Sequence, residues 1–342
     1  MWRFPASSIP AMNDDMNTTR LPATGIHRIL VCRPNHRLGN MLLITPLLAE
    51  IETVFPGAEV DVLLGGMAGA ELLVGYPRVQ RIFCVMNRPG WHLWRLFSII
   101  RKLRAARYDL AIDTANGSRS GRWLVAAARG RYTISATTLQ DSDALQPQHH
   151  AQMPVHALRR TLSDGSPRLA EPYAPMSIRL SAAESATAAQ ALQRMTANVA
   201  TAESVLVGVF LNATGRKCYP AAWWKTLLDR LQTLHPEYVF VEILPAHGQS
   251  MADDRYPGFY SNSPRKMAAM ISRFACFITG DCGVMHLAAA SGATTIGLFS
   301  VTDAIRYAPY GNHSCAINTQ GIEPATLADR IDQLIQRKLA QG

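Results

Sequence analysis

At 342 residues, nearly half of them apolar and 17% charged, the chain is too long for one ordinary core and too apolar to be disordered over most of its length. It carries 34 Lys and Arg against 25 Asp and Glu, placed unevenly: 22 against 14 over residues 1–195 and 12 against 11 over 196–342. Six cysteines without a C-x-x-C pair argue against a disulfide framework or a clustered zinc site.

The first 25 residues are polar, contain proline and lack the apolar core of a signal peptide, so they read as a disordered leader. No run of eighteen apolar residues is present, which argues against a transmembrane helix and for a cytoplasmic protein. From residue 28 onward short apolar runs alternate with helical spacing. Strands are expected at 28–32, 59–64, 79–85, 108–114 and 131–136. Helices are expected at 41–55, 91–106 and 119–128, with a short one near 156–162. The pair His149-His150 lies in a polar loop and reads as surface histidines. After a helix at 182–197 a second cycle begins. Strands are expected at 205–211, 238–244, 276–280, 294–300 and 315–319, and helices at 221–234, 264–274, 281–291 and 324–339. Alternation of this kind predicts two successive α/β domains, each with a doubly wound parallel sheet, assigned to 26–197 and 198–342 and facing one another across a cleft.

In open parallel sheets ligands bind beyond the carboxyl ends of the strands, so the residues just after each strand carry the functional argument. Gly280-Asp281-Cys282-Gly283-Val284-Met285-His286 follows one strand and opens a helix. A helix start stabilises anions. Asp281 suits sugar or ribose hydroxyls, or simply caps the helix, and His286 suits a phosphate. Thr214-Gly215-Arg216-Lys217 after another strand offers a hydroxyl and two cations, a plausible diphosphate cradle. In the first half, Arg33, His36, Arg37 and Asn40 follow the first strand. Asp113 ends the fourth, where a carboxylate serves either as a general base or as a helix cap. The run 78–131 holds twelve basic residues against Asp109 and Asp113, which implies an anionic partner or a merely solvated face. Trp91, Trp94, Phe97 and Ile100 among Arg95, Arg101, Lys102 and Arg104 form a basic amphipathic stretch, read as a packed helix or a membrane contact.

Two segments, RLGNMLLITPLLAEIETVFPGAEVDVL (37–63) and DCGVMHLAAASGATTIGLFSVTDAIRYAPYG (281–311), resemble the lipopolysaccharide heptosyltransferases of glycosyltransferase family 9, and the likeness runs from about Ile29 to Gly311. The resemblance implies a GT-B fold of two Rossmann-like domains, with the last helix (324–339) packing back toward the first. It further implies inverting, metal-independent transfer of a heptose from an ADP-sugar donor to an anionic lipopolysaccharide core, without cofactor. Lys217, Asp281, Gly283 and His286 match the family's donor residues, with Thr214 and Met285 beside them. Arg33 and Arg37 are expected on the acceptor. Peripheral contact with the cytoplasmic face of the inner membrane is a further expectation, and nucleic acid is not an expected partner. One departure stands out: the family's usual Gly-Asp, whose Asp is the expected base, is Gly39-Asn40 here. An amide does not take a proton from a hydroxyl, which leaves Asp113 or His36 to substitute, or a catalytically weakened nucleotide-sugar-binding protein as the alternative. A second departure is Pro245-Ala246-His247-Gly248, where a donor-contacting Glu is expected.

Overall fold

The computed structural model describes residues 20–66, 68–85, 92–115, 118–135, 147–163 and 167–340. Its first sheet contains β1 (Arg28–Arg33), β2 (Glu59–Leu64), β3 (Val79–Cys84), β4 (Leu110–Asp113) and β5 (Tyr132–Ser135), all parallel, in the order β3-β2-β1-β4-β5. Alternation along β1 sets the two layers. Ile29 and Val31 face a core shared with α1 (Leu38–Leu42), α2 (Thr45–Val54) and α6 (Met153–Thr161). Leu30 and Cys32 face α4 (His92–Ala106) and α5 (Arg119–Ala128) on the other side. A short α3 (Ala68–Leu72) joins β2 to β3.

The second sheet is parallel throughout, ordered β11-β10-β9-β6-β7-β8. It comprises β6 (Val205–Phe210), β7 (Tyr238–Ile243), β8 (Gly258–Phe259), β9 (Cys276–Gly280), β10 (Thr295–Phe299) and β11 (Cys315–Asn318). Val207, Val209, Ile278 and Leu298 pack on α8 (Ala221–Leu234) and α12 (Pro324–Leu339). Phe210, Val241 and Phe277 pack on α7 (Ala182–Thr196), α9 (Pro264–Ile271) and α10 (Gly283–Ala290). A one-turn α11 (Ala304–Tyr307) follows β10.

Several expectations need correcting. The helix expected over 41–55 is two helices, α1 and α2. Pro46 has no N–H to donate to Leu42 and its ring crowds that carbonyl, which instead accepts from Thr45 Oγ1 at 2.7 Å. Residues 20–25, expected within the leader, are placed: Leu21 is buried, pairs with Leu162 and exchanges backbone hydrogen bonds with Thr161 and Ser163. Of the aromatic stretch expected on α4, Trp94 and Phe97 are exposed, and Trp91 lies outside the described residues. Helix α7 belongs to the second sheet, since Leu192 packs with Phe210 and Val241; the chain therefore crosses between units before Ala182 rather than after 197. Helix α12, expected to pack back toward the first unit, packs in the second. Its apolar stripe Leu327, Ala328, Ile331 and Ile335 packs in the second core beside α8, locked by Arg230 Nε donating to Asp329 and Tyr238 Oη to Asp332.

The two units share an apolar seam. Ala268, Leu287, Ala289 and Ala290 of the second unit lie in the same core as α1 and α2 of the first. Helices α1 and α10 meet where neither has a side chain: a Cβ on Gly283 would sit 3.4 Å from the Gly39 nitrogen, and one on Gly39 would sit 2.5 Å from His286 Cδ2. Beside this seam Arg265 of α9 ties three segments together. It pairs with Glu184 at 2.6 and 2.7 Å and donates to the carbonyls of Ile178 and Arg179. Ser263 just before it reaches Glu71 of α3 at 2.8 Å.

Candidate active site

Each sheet reverses its strand order once, between β1 and β4 in the first and between β6 and β9 in the second. At such a point the loops beyond the strand ends diverge and leave a crevice for a ligand. The residues singled out after β1, β4, β6 and β9 flank these two reversals.

On the second sheet the arrangement is paired. Lys217, at the end of a 3-10 turn after β6, donates to Asp281 Oδ2 at 2.5 Å. Asp281 is buried at the end of β9 and Lys217 is half-buried. The next residues open α10, whose N-cap residue Cys282 makes no side-chain cap hydrogen bond, and a helix start beside this ion pair favours an anion. Thr214 is exposed on the same turn. Asn212 Nδ2 lies 3.3 Å from His247 Nε2, joining the loops after β6 and β7. Met285 is not part of this surface. It is fully buried, with its sulfur 2.6 Å from the Cβ that Gly297 lacks, so it fills core beneath β10 rather than meeting a donor.

On the first sheet the arrangement is buried and incompletely paired. Arg33, only 7% exposed, donates through Nη1 to the Thr114 carbonyl and through Nη2 to Asn40 Oδ1 at 3.2 Å, and its Nε has no partner. Burial pushes its pKa down to about 10, with Tyr307 and Asp113 opposing. Asp113 is 2% exposed and lies under the first turn of α5, where a Cβ on Gly121 would meet its Oδ1 at 2.8 Å. Oδ1 accepts from the Ala115 N–H at 2.9 Å and Oδ2 has no partner. Burial raises this carboxyl to about 6, against the pull of Ala115, Arg33 and Arg122. His36 and Arg37 are exposed. The backbone at Asn35 and His36 rests on Gly65 at the end of β2, across β1 from Asp113. Of the two proposed substitutes for the family's carboxylate, Asp113 is the one joined to Asn40, through Thr114 and Arg33.

His286, one turn into α10, sits at the seam between the two sets. It is buried, its ring lies over Gly39, and Nδ1 is unpartnered. Burial lowers its pKa to about 4, so it is a neutral imidazole at neutral pH, able to donate one hydrogen bond without carrying charge.

Two histidines read as surface residues belong to the same seam. His149 is buried; its Nδ1 accepts from the Ala151 N–H and its Nε2 is 3.0 Å from the Ala308 carbonyl. The His150 ring lies 4.6 Å from Tyr307, and the His150 backbone N–H donates to the Arg306 carbonyl. Burial, with Arg33, His149 and Arg306 nearby, brings His150 down to about 4. The segment 149–152 of the first unit is thereby clasped to α11 of the second. A polar loop with two adjacent histidines contained no sign of this, because the partner lies more than 150 residues away.

Comparison with known proteins bears on the same architecture. The model of glycosyltransferase family 9 (heptosyltransferase) matches residues 96–330. Lipopolysaccharide heptosyltransferase 3 of Escherichia coli is 22% identical over 293 residues, covering 80% of this chain and 84% of that protein. Among solved structures, a glycosyl transferase family 9 protein of Veillonella parvula superposes with a TM-score of 0.74 at 16% identity, covering 95% of this chain and 100% of that one. The Escherichia coli heptosyltransferase WaaC with ADP superposes with a TM-score of 0.66 at 19% identity, covering 91% and 99%. The two-sheet arrangement is therefore the GT-B fold.

Proposed function

The chain belongs to glycosyltransferase family 9, the heptosyltransferases, and on that premise we propose that it moves a heptose from an ADP-activated donor to an anionic lipopolysaccharide-type acceptor, with inversion. The observation that carries this reading is a set of buried polar atoms left without partners: Arg33 Nε and Asp113 Oδ2 at the ends of β1 and β4, and His286 Nδ1 at the seam. Leaving such an atom buried and unpaired costs about 1–3 kcal/mol each, so two of them at the β1/β4 reversal, with a third on the facing helix α10, support a place built to hold something else.

The donor diphosphate belongs on the second unit. The α10 N–H groups and Lys217 stabilise negative charge as the leaving group develops it, and neutral His286 adds a hydrogen bond from the seam. ADP in a solved relative supports an adenine nucleotide. The acceptor belongs on the first unit, where Arg37 and the basic α4–α5 layer suit phosphate and carboxylate groups. The acceptor hydroxyl oxygen attacks the anomeric carbon from the face opposite the nucleotide. The anomeric C–O bond to the diphosphate breaks and ADP leaves with the electron pair. The hydroxyl proton goes to Asp113, whose raised pKa suits a base working near neutrality. Asn40, held by Arg33, positions the acceptor and takes no proton. Nothing in this scheme calls on a metal.

Transfer from ADP-heptose to phosphorylated lipopolysaccharide core, followed against pH, tests the reading. The rate should rise through about pH 6 and then level, and Asp113→Asn should lower kcat by about 10²–10⁴. An Asp113→Asn protein with an unchanged rate and pH profile would move the base elsewhere. Absence of transfer from any ADP-sugar, with ADP bound normally, would favour a binding protein.

A further inference from the structure

The segment 306–311 of the second unit threads along the first. The Arg306 carbonyl accepts from the His150 backbone N–H, the Tyr307 ring lies 4.6 Å from the His150 ring, and the Ala308 carbonyl is 3.0 Å from His149 Nε2. The Tyr310 ring lies 5.2 Å from that of His149, and its Oη donates to the Tyr173 carbonyl at 3.0 Å. Gly311, at φ 92°, ends the contact where a Cβ would sit 2.5 Å from Pro175 Cβ. These contacts fix Tyr307 against the first unit, although the chain reaches it from β10, whose Leu298 carbonyl accepts from the Asp281 N–H.

At that place Tyr307 meets the incompletely paired group at the end of β1. Its hydroxyl is close enough to the Arg33 guanidinium to favour the charged form against burial, and His150 lies close to the same guanidinium. Arg33 has Nη1 committed to the Thr114 carbonyl and Nη2 to Asn40, which leaves Nε as a buried donor with nothing to receive it. Tyr307 is half-buried with its ring against His150, and its hydroxyl makes no hydrogen bond among the described residues. Two polar groups, one from each unit, thus stand unpaired beside one another, where buried polar groups are ordinarily satisfied. A ring that only held the units together would need no hydroxyl next to a buried cation.

We infer that Tyr307 is a specificity-determining residue for the acceptor: its ring lies against the C–H face of an acceptor sugar, and its hydroxyl and Arg33 Nε together bind one hydroxyl oxygen of that sugar, next to the hydroxyl that reacts. The chemistry favours a neutral oxygen there. A sugar hydroxyl accepts one hydrogen bond from Nε and exchanges a second with the phenol. A carboxylate or phosphate asks for the bidentate fork of a guanidinium, and here Thr114 and Asn40 already occupy it. An anion would also face buried Asp113, which lies close enough to Arg33 to act on its charge. Because Tyr307 belongs to the second unit and Arg33 to the first, the acceptor is gripped by both. That the bound sugar is an acceptor rests on the transferase reading.

Calorimetry of the full chain with phosphorylated lipopolysaccharide core oligosaccharide, and separately with ADP, tests the inference by binding alone. Tyr307→Phe keeps the ring on His150 and removes the hydroxyl. Core oligosaccharide should then bind about two- to tenfold more weakly, while ADP affinity stays unchanged. Tyr307→Ala removes the ring as well and should weaken the oligosaccharide by about a further tenfold. In transfer assays the same losses should appear as a raised KM for the acceptor with kcat changed less. Unmoved oligosaccharide affinity in Tyr307→Phe, or loss of ADP affinity in step with it, would overturn the inference and leave the transferase reading standing, with Tyr307 a packing residue of the clasp. An unaltered protein that binds ADP and no core oligosaccharide would overturn both.

Discussion

The two strand reversals solve the same problem in opposite ways. At β6/β9 the charged groups satisfy one another: Lys217 and Asp281 are paired at 2.5 Å across the mouth of α10. At β1/β4 they are buried without full satisfaction, with Asp113 and Arg33 each keeping an unpartnered atom. A paired, half-exposed site suits binding of a charged nucleotide by exchange of partners. A buried, under-paired site holds a carboxyl near the pKa at which it can take a proton, at a cost in stability. In the proposed scheme the contrast separates donor binding in the second unit from proton transfer in the first.

The largest break in this comparison should come from the seam that brings the two sites together. Gly39→Val places atoms where the His286 ring lies, against a backbone approach that has no slack. A displacement of about 1 Å in a catalytic site can cost about 10²-fold, so kcat/KM should fall by that order while ADP affinity stays within a few-fold of normal. Equal loss of both would mean that the seam builds the donor site as well. Lys217→Met acts on the second site alone. One charge-assisted contact is worth about 1.5–3 kcal/mol, so ADP should bind about ten- to a hundredfold more weakly by calorimetry, with the pH profile of transfer unmoved. Unchanged ADP affinity would remove Lys217 from the donor site.

The smallest effect is one of pH and stability. His286 and His150 both have folded-state values near 4 against 6.5 when free. Between those values the unfolded chain binds protons that the folded chain refuses, so stability is full above about pH 6.5 and falls as pH drops toward 4. Asp113 works in the other direction. Its raised value means that the folded chain holds a proton the unfolded chain releases, so its contribution to stability grows as pH falls from about 6 toward 3.8. Thermal melts of Asp113→Asn should therefore show a steeper loss from pH 6.5 to 4 than the unaltered protein. Parallel curves would mean that Asp113 is not held as a buried acid.

Most of the strand–helix order was legible because it depends on local periodicity. Ten of the eleven strands are anticipated within a few residues; the missing β8 has two residues and no pattern to read. The pairing of Asn40 with Arg33 lies seven residues apart, yet it needed the Thr114 carbonyl from the neighbouring strand to fix the guanidinium. Met285 sits inside the motif expected to face the donor, but its position on the helix turns into the core. Likewise α12 carries a clear apolar stripe, and a stripe states that a helix is buried without naming its partner.

What the chain determined by itself is the repeated α/β pattern, the placement of Asp281, Lys217, Arg33 and Asp113 at or just beyond strand ends, and the concentration of positive charge in one half. Each follows from hydrogen-bonding geometry and apolar spacing over a few residues. Tertiary structure alone decided that Gly39 meets His286, that His149 and His150 clasp α11, and that Asp113 rather than His36 is joined to Asn40. Those contacts depend on how two sheets are set against each other across an apolar seam, and burial, under α5 for Asp113 and at the seam for His286, is what moves the two pKa values.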